Sequence, residues 1–313
     1  DQLEAIVLPD AVTTIREGTF SNCYHLTNVT FPSRLEAIED NAFYNGYDGI
    51  ELSLPDGLLS IGYRAFGNNS QINTVSIPDS VSRIGGDAFI NTQWFDSMPV
   101  GLIYAGKVVL GFRGVMVMDE IIILAEGTKG IADRAFINNP YIIEVQMPDT
   151  LIHIGKEAFR NASNLTYVDF SANIASIGGF AFAFCNKIAS VSLPDTVVTI
   201  GENAFYGCSF SNLDLPANLV SIGTYAFGNN AALSTVAFPD GLLDVGDYAF
   251  KDCVSLTTLS LPNGVRFIGI EAFANNTSLT SLTLGTGLDI IGARAFLNCS
   301  ALATIDLLDD YFL

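Results

Sequence analysis

"PDSVSRIGGDAF", Pro78 to Phe89, is written again with small changes as "PDTLIHIGKEAF" at Pro148 to Phe159, "PDTVVTIGENAF" at Pro194 to Phe205 and "PDGLLDVGDYAF" at Pro239 to Phe250. The closing phenylalanine recurs at Phe20, Phe43, Phe66, Phe89, Phe136, Phe159, Phe182, Phe205, Phe227, Phe250, Phe273 and Phe296. Successive steps are 23 residues, apart from one of 22 and one of 47. Alanine precedes the phenylalanine everywhere except at Thr19, and isoleucine or valine stands five residues before it, from Ile15 to Ile291. A fixed period of this length is the signature of a repeat architecture.

Ahead of each motif lies an apolar run spaced as in Leu26/Val29/Phe31, Leu165/Val168/Phe170 and Leu279/Leu282/Leu284. Its last two apolar positions alternate with a polar one, as a strand with one buried face requires. Proline follows at Pro9, Pro32, Pro55, Pro78, Pro148, Pro194, Pro216, Pro239 and Pro262. It cannot donate to a strand ladder, so it ends the strand, and the Asp-Gly, Asp-Thr or Asp-Ser after it is turn chemistry. A 23-residue unit cannot bury its own apolar positions, whereas stacked units share one core with parallel strands on one face. The expected fold is a single leucine-rich-repeat solenoid over residues 1–313, about twelve units closed by a last strand at Ile305 and Leu307.

Proline after the strand, then "IG", then "AF", then Cys or Asn three residues on, resembles the BspA type of leucine-rich repeat. The resemblance covers essentially the whole chain. It implies a right-handed superhelix of strand, turn and loop with little α-helix. It also implies an extracellular or cell-surface location, as in surface and secreted proteins of host-associated bacteria and some protists. The expected activity is non-catalytic adhesion to a protein or glycan of a host or neighbouring cell. A structural spacer or self-associating module of a longer surface protein is the alternative. Its motivation is the absence of end caps: the first repeat begins by residue 3, and "DDYFL" after Leu308 is too short for a capping domain. On this reading the protein continues at either end, or the solenoid ends pair.

The net charge of −19 opposes nucleic acid and anionic membranes, and no apolar run reaches the length of a membrane span. Cys23, Cys185, Cys208, Cys253 and Cys299 share one slot, three residues after the motif phenylalanine, with Asn69, Asn139, Asn230 and Asn276. That placement expects a structural ladder, with Cys185 and Cys208 the pair on neighbouring rungs to examine for a bond. His25 and His153 have no zinc spacing, and no P-loop, G-x-S-x-G, H-E-x-x-H or EF-hand pattern occurs. No enzyme and no cofactor are expected.

Three surfaces compete for a partner. The outward strand positions are mostly Thr, Ser and Asn, with Tyr167 the obvious aromatic. Asp10, Asp56, Asp79, Glu126, Asp149, Asp195 and Asp240 follow the strand ends, as turn residues or as a column weakly attracting Ca²⁺. The long step holds a hairpin-like insertion over 92–121, with strands expected around Ala105-Gly106. It carries the only tryptophan, and Trp94, Phe95, Met98, Tyr104 and Phe112 either pack on their own solenoid or anchor a partner.

Overall fold

A computed structural model describes residues 2–307, so the "DDYFL" reading lies outside the described residues. The chain forms two compact units, Asp1–Val115 with Gly127–Ala135, and Met116–Glu126 with Phe136–Leu313. Each is a parallel β-solenoid, and the one helix among the described residues is the four-residue Gln93–Asp96.

In the first unit, three-residue strands Ala5–Val7 and Asn28–Thr30 pair in parallel, as do Glu51–Ser53 and Thr74–Ser76. The register advances by 23 residues, Val29 beside Ile6 and Val75 beside Leu52. The second unit repeats this ladder from Glu120–Ile123 and Ile142–Gln146 to Ser281–Leu284 and Thr304–Leu307. The last of these is the strand expected at Ile305 and Leu307.

The structure adds a second column of strands that the strand pattern alone does not reveal. Two-residue strands form at the isoleucine of the motif: Thr14–Ile15, Ala37–Ile38, Ser60–Ile61 and Arg83–Ile84 in the first unit. His153–Ile154 through Ile290–Ile291 do the same in the second. Two residues are too few for a period of two to show in sequence. The glycine after the isoleucine has a steric cause: a Cβ on Gly85 would stand 2.3 Å from the Tyr63 nitrogen of the rung before.

The turn around the phenylalanine is also bonded rung to rung. The Phe159 N–H donates to the Ala181 carbonyl at 2.7 Å and that of Phe182 to Ala204 at 2.8 Å. Such a ribbon needs alternate residues in the left-handed region, and the two positions flanking each phenylalanine at a distance of two have positive φ. The position after it is filled by asparagine at Asn22, Asn45, Asn68, Asn91, Asn138, Asn161, Asn229, Asn275 and Asn298. Asparagine tolerates this conformation better than other side chains with a Cβ. The amides also bond along the column, Asn161 Nδ2 donating to Asn138 Oδ1 at 3.0 Å and Asn91 to Asn68 at 2.7 Å.

The phenylalanines form the core. In the first unit Phe20, Phe43, Phe66 and Phe89 stack with centroids 5.1, 5.1 and 5.7 Å apart. In the second, Phe136 to Phe296 stack at separations of 5.1–5.6 Å. Leu26, Leu58, Leu165 and Leu256 beside them are wholly buried.

Phe159 lies between Phe136 and Phe182 with no exposed surface. Phe159→Ala is expected to lower unfolding free energy by about 3–5 kcal/mol, as for other buried aromatic truncations; a chemical denaturation midpoint equal to that of the parent would show the ring is not a core rung. At Asn161, with φ of 64°, replacement by glycine is expected to cost only a few tenths of a kcal/mol. Replacement by valine is expected to cost about 1–2 kcal/mol in the same titration.

Candidate functional site

The hairpin forms where the sequence places it. Gly101–Ala105 runs antiparallel to Val108–Arg113, with Ala105 opposite Val108 and Tyr104 opposite Val109. Gly106 makes the turn with φ of +58°. Val108 and Val109 then pair in parallel with Gly130 and Ile131, so the hairpin supplies a rung to the two-residue ladder of the first unit. Thr92 occupies the slot that other rungs give to Cys or Asn. Its hydroxyl donates to the Phe89 carbonyl at 2.8 Å and accepts the Phe95 N–H at 3.1 Å, capping the short helix.

That helix turns Trp94 inward. The indole meets Phe89 edge-on at 5.0 Å and closes the phenylalanine stack of the first unit. Phe95 packs against the same core, its carbonyl accepts from Arg113 Nη1 at 2.7 Å, and it borders a cavity of about 90 Å³ with Phe89 and Leu110. Met98, Tyr104 and Phe112 are partly buried as well. The five hairpin-region residues are therefore at least partly committed to their own unit.

Tyr167 stands differently, 54% exposed on the three-residue ladder of the second unit. Register brings Ile121, Glu144 and Tyr167 into one row and Ile123, Gln146 and Asp169 into the next. Ile121 and Ile123 face solvent, as does Tyr141. Gln146 Nε2 donates to Glu144 Oε1 at 2.7 Å and orients that carboxylate between Ile121 and Tyr167. The result is a patch of exposed apolar side chains set with two carboxylates, on a ladder that elsewhere presents mostly small or polar residues, as at Thr235, Thr258 and Ser281. Sequence reasoning missed Ile121, Ile123 and Tyr141, although the period places Ile122 inward beside Val145 and so its two neighbours outward.

In the acidic column, Asp195 bonds to a turn. Asp195 Oδ1 accepts the Ala217 N–H of the next rung at 2.8 Å, and the Pro194 carbonyl accepts from Val197. Among the described residues no three His, Cys, Asp or Glu side chains gather into a metal-holding group, so the column expected to draw Ca²⁺ forms no ligand cluster. His153 Nδ1 lies 2.7 Å from Ser176 Oγ, a bond between neighbouring rungs.

The cysteines are free, Cys185 and Cys208 included. Cys185, Cys208, Cys253 and Cys299 each direct the thiol to the phenylalanine carbonyl 26 residues earlier, at 3.1–3.4 Å. Asn69 and Asn276 use their amides for the same bond. Burial pushes the Cys185 and Cys253 thiols up to about 12 and the Cys208 thiol well above its ordinary range.

A family model for the BspA type leucine rich repeat region matches in six copies over residues 1–100, 112–211 and 198–311. No curated protein matches the chain. Among solved structures, the T. pallidum leucine rich repeat protein is 25% identical with a TM-score of 0.52, over 59% of this chain and 88% of its own. A leucine-rich repeat protein from Eubacterium ventriosum is 20% identical with a TM-score of 0.50, over 99% of this chain and 79% of its own. The latter likeness is one of fold alone.

A thiol whose pKa rises on folding favours the folded state below its ordinary pKa of 9.0, and that contribution is lost as pH climbs toward 12. At pH 8 the native protein is expected to expose at most Cys23 and Cys299 to a maleimide reagent, with the other three labelled only after unfolding. Five equal labelling rates by mass spectrometry on the native protein would contradict the ladder.

Proposed function

Since the chain belongs to the BspA-type leucine-rich repeat family, we propose that it is a non-catalytic binding module of the cell surface or secreted space that adheres to a protein partner. The observation that carries this reading is the Ile121, Ile123, Tyr141 and Tyr167 cluster, exposed on an otherwise small and polar strand ladder. Solvent-facing isoleucines are not required by the repeat, because the equivalent positions of other rungs fold with residues as different as Thr, Ser, Asn, Asp and Ala. Tyrosine is enriched at interface hot spots, and Tyr167 shares its row with Ile121 across Glu144.

Glu144 and Asp169 lie in the same rows, and the chain carries a net charge of −19. A partner presenting an aliphatic or aromatic knob flanked by Lys or Arg satisfies both features. Opposite charge would speed the encounter and the buried apolar contact would slow release. The partly exposed hairpin residues Trp94, Phe95, Met98, Tyr104 and Phe112 form a second contact surface on this reading, weaker because so much of their area is already covered within the first unit.

The test is surface-plasmon-resonance binding of the chain to a panel of basic and neutral extracellular-matrix proteins, with calcium or chelator. The chain is compared with Ile121→Thr/Tyr167→Thr and with Trp94→Ala. The double variant installs the residue other rungs carry, so it is expected to melt as the parent does while binding at least tenfold more weakly, about 1.4 kcal/mol or more. Loss in Trp94→Ala alone would move the site to the hairpin. A parent that binds nothing on the panel would favour the spacer reading.

A further inference from the structure

We propose that a different surface of the second unit, an aromatic notch formed by Phe184, Tyr206 and Tyr225, binds an uncharged saccharide chain. The proposal is independent of the strand ladder and uses side chains of the turn ribbon.

Tyr206 stands nearly perpendicular to both of its neighbours, 5.4 Å from Phe184 at 79° and 5.9 Å from Tyr225 at 81°. Tyr225 is backed by Tyr248, stacked on it at 4.5 Å and 8°. Bare glycines make room for the rings. A Cβ on Gly228 would come within 3.1 Å of two Tyr206 ring carbons and 3.2 Å of Tyr225, and one on Gly207 within 3.2 Å of Phe184. Four consecutive rungs thus carry rings, each held against the next.

This arrangement is built against local preference. Phe184, Tyr225 and Tyr248 have φ of 62°, 55° and 59°, a region that bulky side chains avoid. Phe184 stands in the column that nine other rungs fill with asparagine, whereas Tyr225 and Tyr248 stand two residues before the motif phenylalanine, where other rungs place mostly Asn, Asp, Glu or Arg. Strain of this kind gathers at ligand sites, where surrounding contacts hold it in place. Core burial does not account for it, since Phe184 remains 38% exposed and the three tyrosines are only partly covered. Among the described residues the Tyr206, Tyr225 and Tyr248 hydroxyls have no hydrogen-bond partner, whereas Tyr47, a tyrosine with a structural role, donates to the Glu51 carbonyl at 2.8 Å.

The chemistry selects the ligand. A pyranose offers a face of C–H groups, weakly positive, to the negative face of an aromatic ring. Its rim of hydroxyls needs both donors and acceptors. Here the tyrosine hydroxyls supply both, and beside them lie Lys251 and Glu271, paired at 2.8 Å, with Arg294 Nη1 3.7 Å from the same carboxylate. A cationic ligand is disfavoured because the Lys251 ammonium already sits 5.2 Å from the Tyr248 ring centre. A polyanion is disfavoured by the net charge of −19.

The experiment is saturation-transfer NMR of the full chain with cellohexaose, chitohexaose and maltohexaose, followed by affinity electrophoresis in the matching polymers. Two variants address the notch. Tyr206→Ala removes its central ring. Gly228→Ser keeps every ring but sets a Cβ 3.1 Å from two Tyr206 ring carbons, so that ring must yield by a few tenths of an ångström; the backbone at Gly228 is outside the left-handed region, so serine is compatible with it. The parent is expected to bind at least one hexasaccharide, and both variants to weaken it tenfold or more. The strand-ladder variant Ile121→Thr/Tyr167→Thr is expected to bind as the parent does. Absence of binding to all three sugars, binding that survives in either notch variant, or equal loss in the strand-ladder variant would each overturn the proposal.

Discussion

Each rung of this protein must leave its backbone polar groups aligned with those of the next, and the turn ribbon around the motif phenylalanine is where that requirement is most restrictive. Strands meet it with ordinary β geometry. The ribbon meets it by alternating right- and left-handed residues, so that N–H groups such as those of Asn41, Phe43 and Asn45 all donate to the following rung. Once these bonds are fixed, the other invariant features follow from space. Alanine fits between ribbon and core where the Phe43 N–H meets the Ala65 carbonyl. The ring beside it points inward and lands about 5 Å from its counterpart, within stacking range. The phenylalanine carbonyl, left pointing into the core, is met by an amide or thiol from the slot of the next rung, 26 residues on.

The long step shows what is negotiable. Between Phe89 and Phe136 the period is broken, yet the first unit keeps its bonds by substitution. Thr92 replaces the amide or thiol, Trp94 closes the ring stack, and Val108–Val109 takes a place in the two-residue ladder. A smaller case occurs at Gly49, where the leucine of the strand run is missing. The Tyr47 ring occupies that volume, since a Cβ on Gly49 would lie 2.5 Å from it, and its hydroxyl reaches the Glu51 carbonyl. Burial of that tyrosine raises its pKa, with Glu51 adding to the effect. The rung therefore requires a filled interior and a satisfied backbone, while the identity of the filling residue is open.

This division explains what could be read from the letters. Positions fixed by core volume recur as the same residue, which is why the solenoid, the recurring phenylalanine, the cysteine slot and the hairpin at Ala105-Gly106 were legible. Positions fixed by backbone conformation were less so. The asparagine column from Asn22 to Asn298 is plain once φ is known, but asparagine is common throughout this chain and also ends turns. The two-residue ladder was hidden because most of its strands bury a single residue, Ile154 or its equivalent. Tyr167 was singled out because an aromatic stands out among threonines. Ile121 and Ile123 were not, because "EIII" reads as an uninterrupted apolar strand until the register with Val145 separates its two faces.

The two proposed ligand surfaces follow from the same logic, for different physical reasons. On the strand ladder an outward side chain has little influence on the fold, so replacing threonine with isoleucine at Ile121 and Ile123 changes the surface at small internal cost. On the turn ribbon the outward side chain belongs to a residue whose backbone is already unfavourable for most side chains. Placing Phe184, Tyr225 and Tyr248 there adds strain, which their contacts must offset. The rings brace one another over Gly207 and Gly228, and Lys251 spans from Tyr248 to Glu271 of the following rung. A surface held in this way is preorganised: the side chains have already lost most of their rotamer freedom on folding, so less is lost when a ligand is bound. A ladder of threonines with a few isoleucines suits a large partner and many contacts, whereas a braced aromatic notch suits a small rigid one.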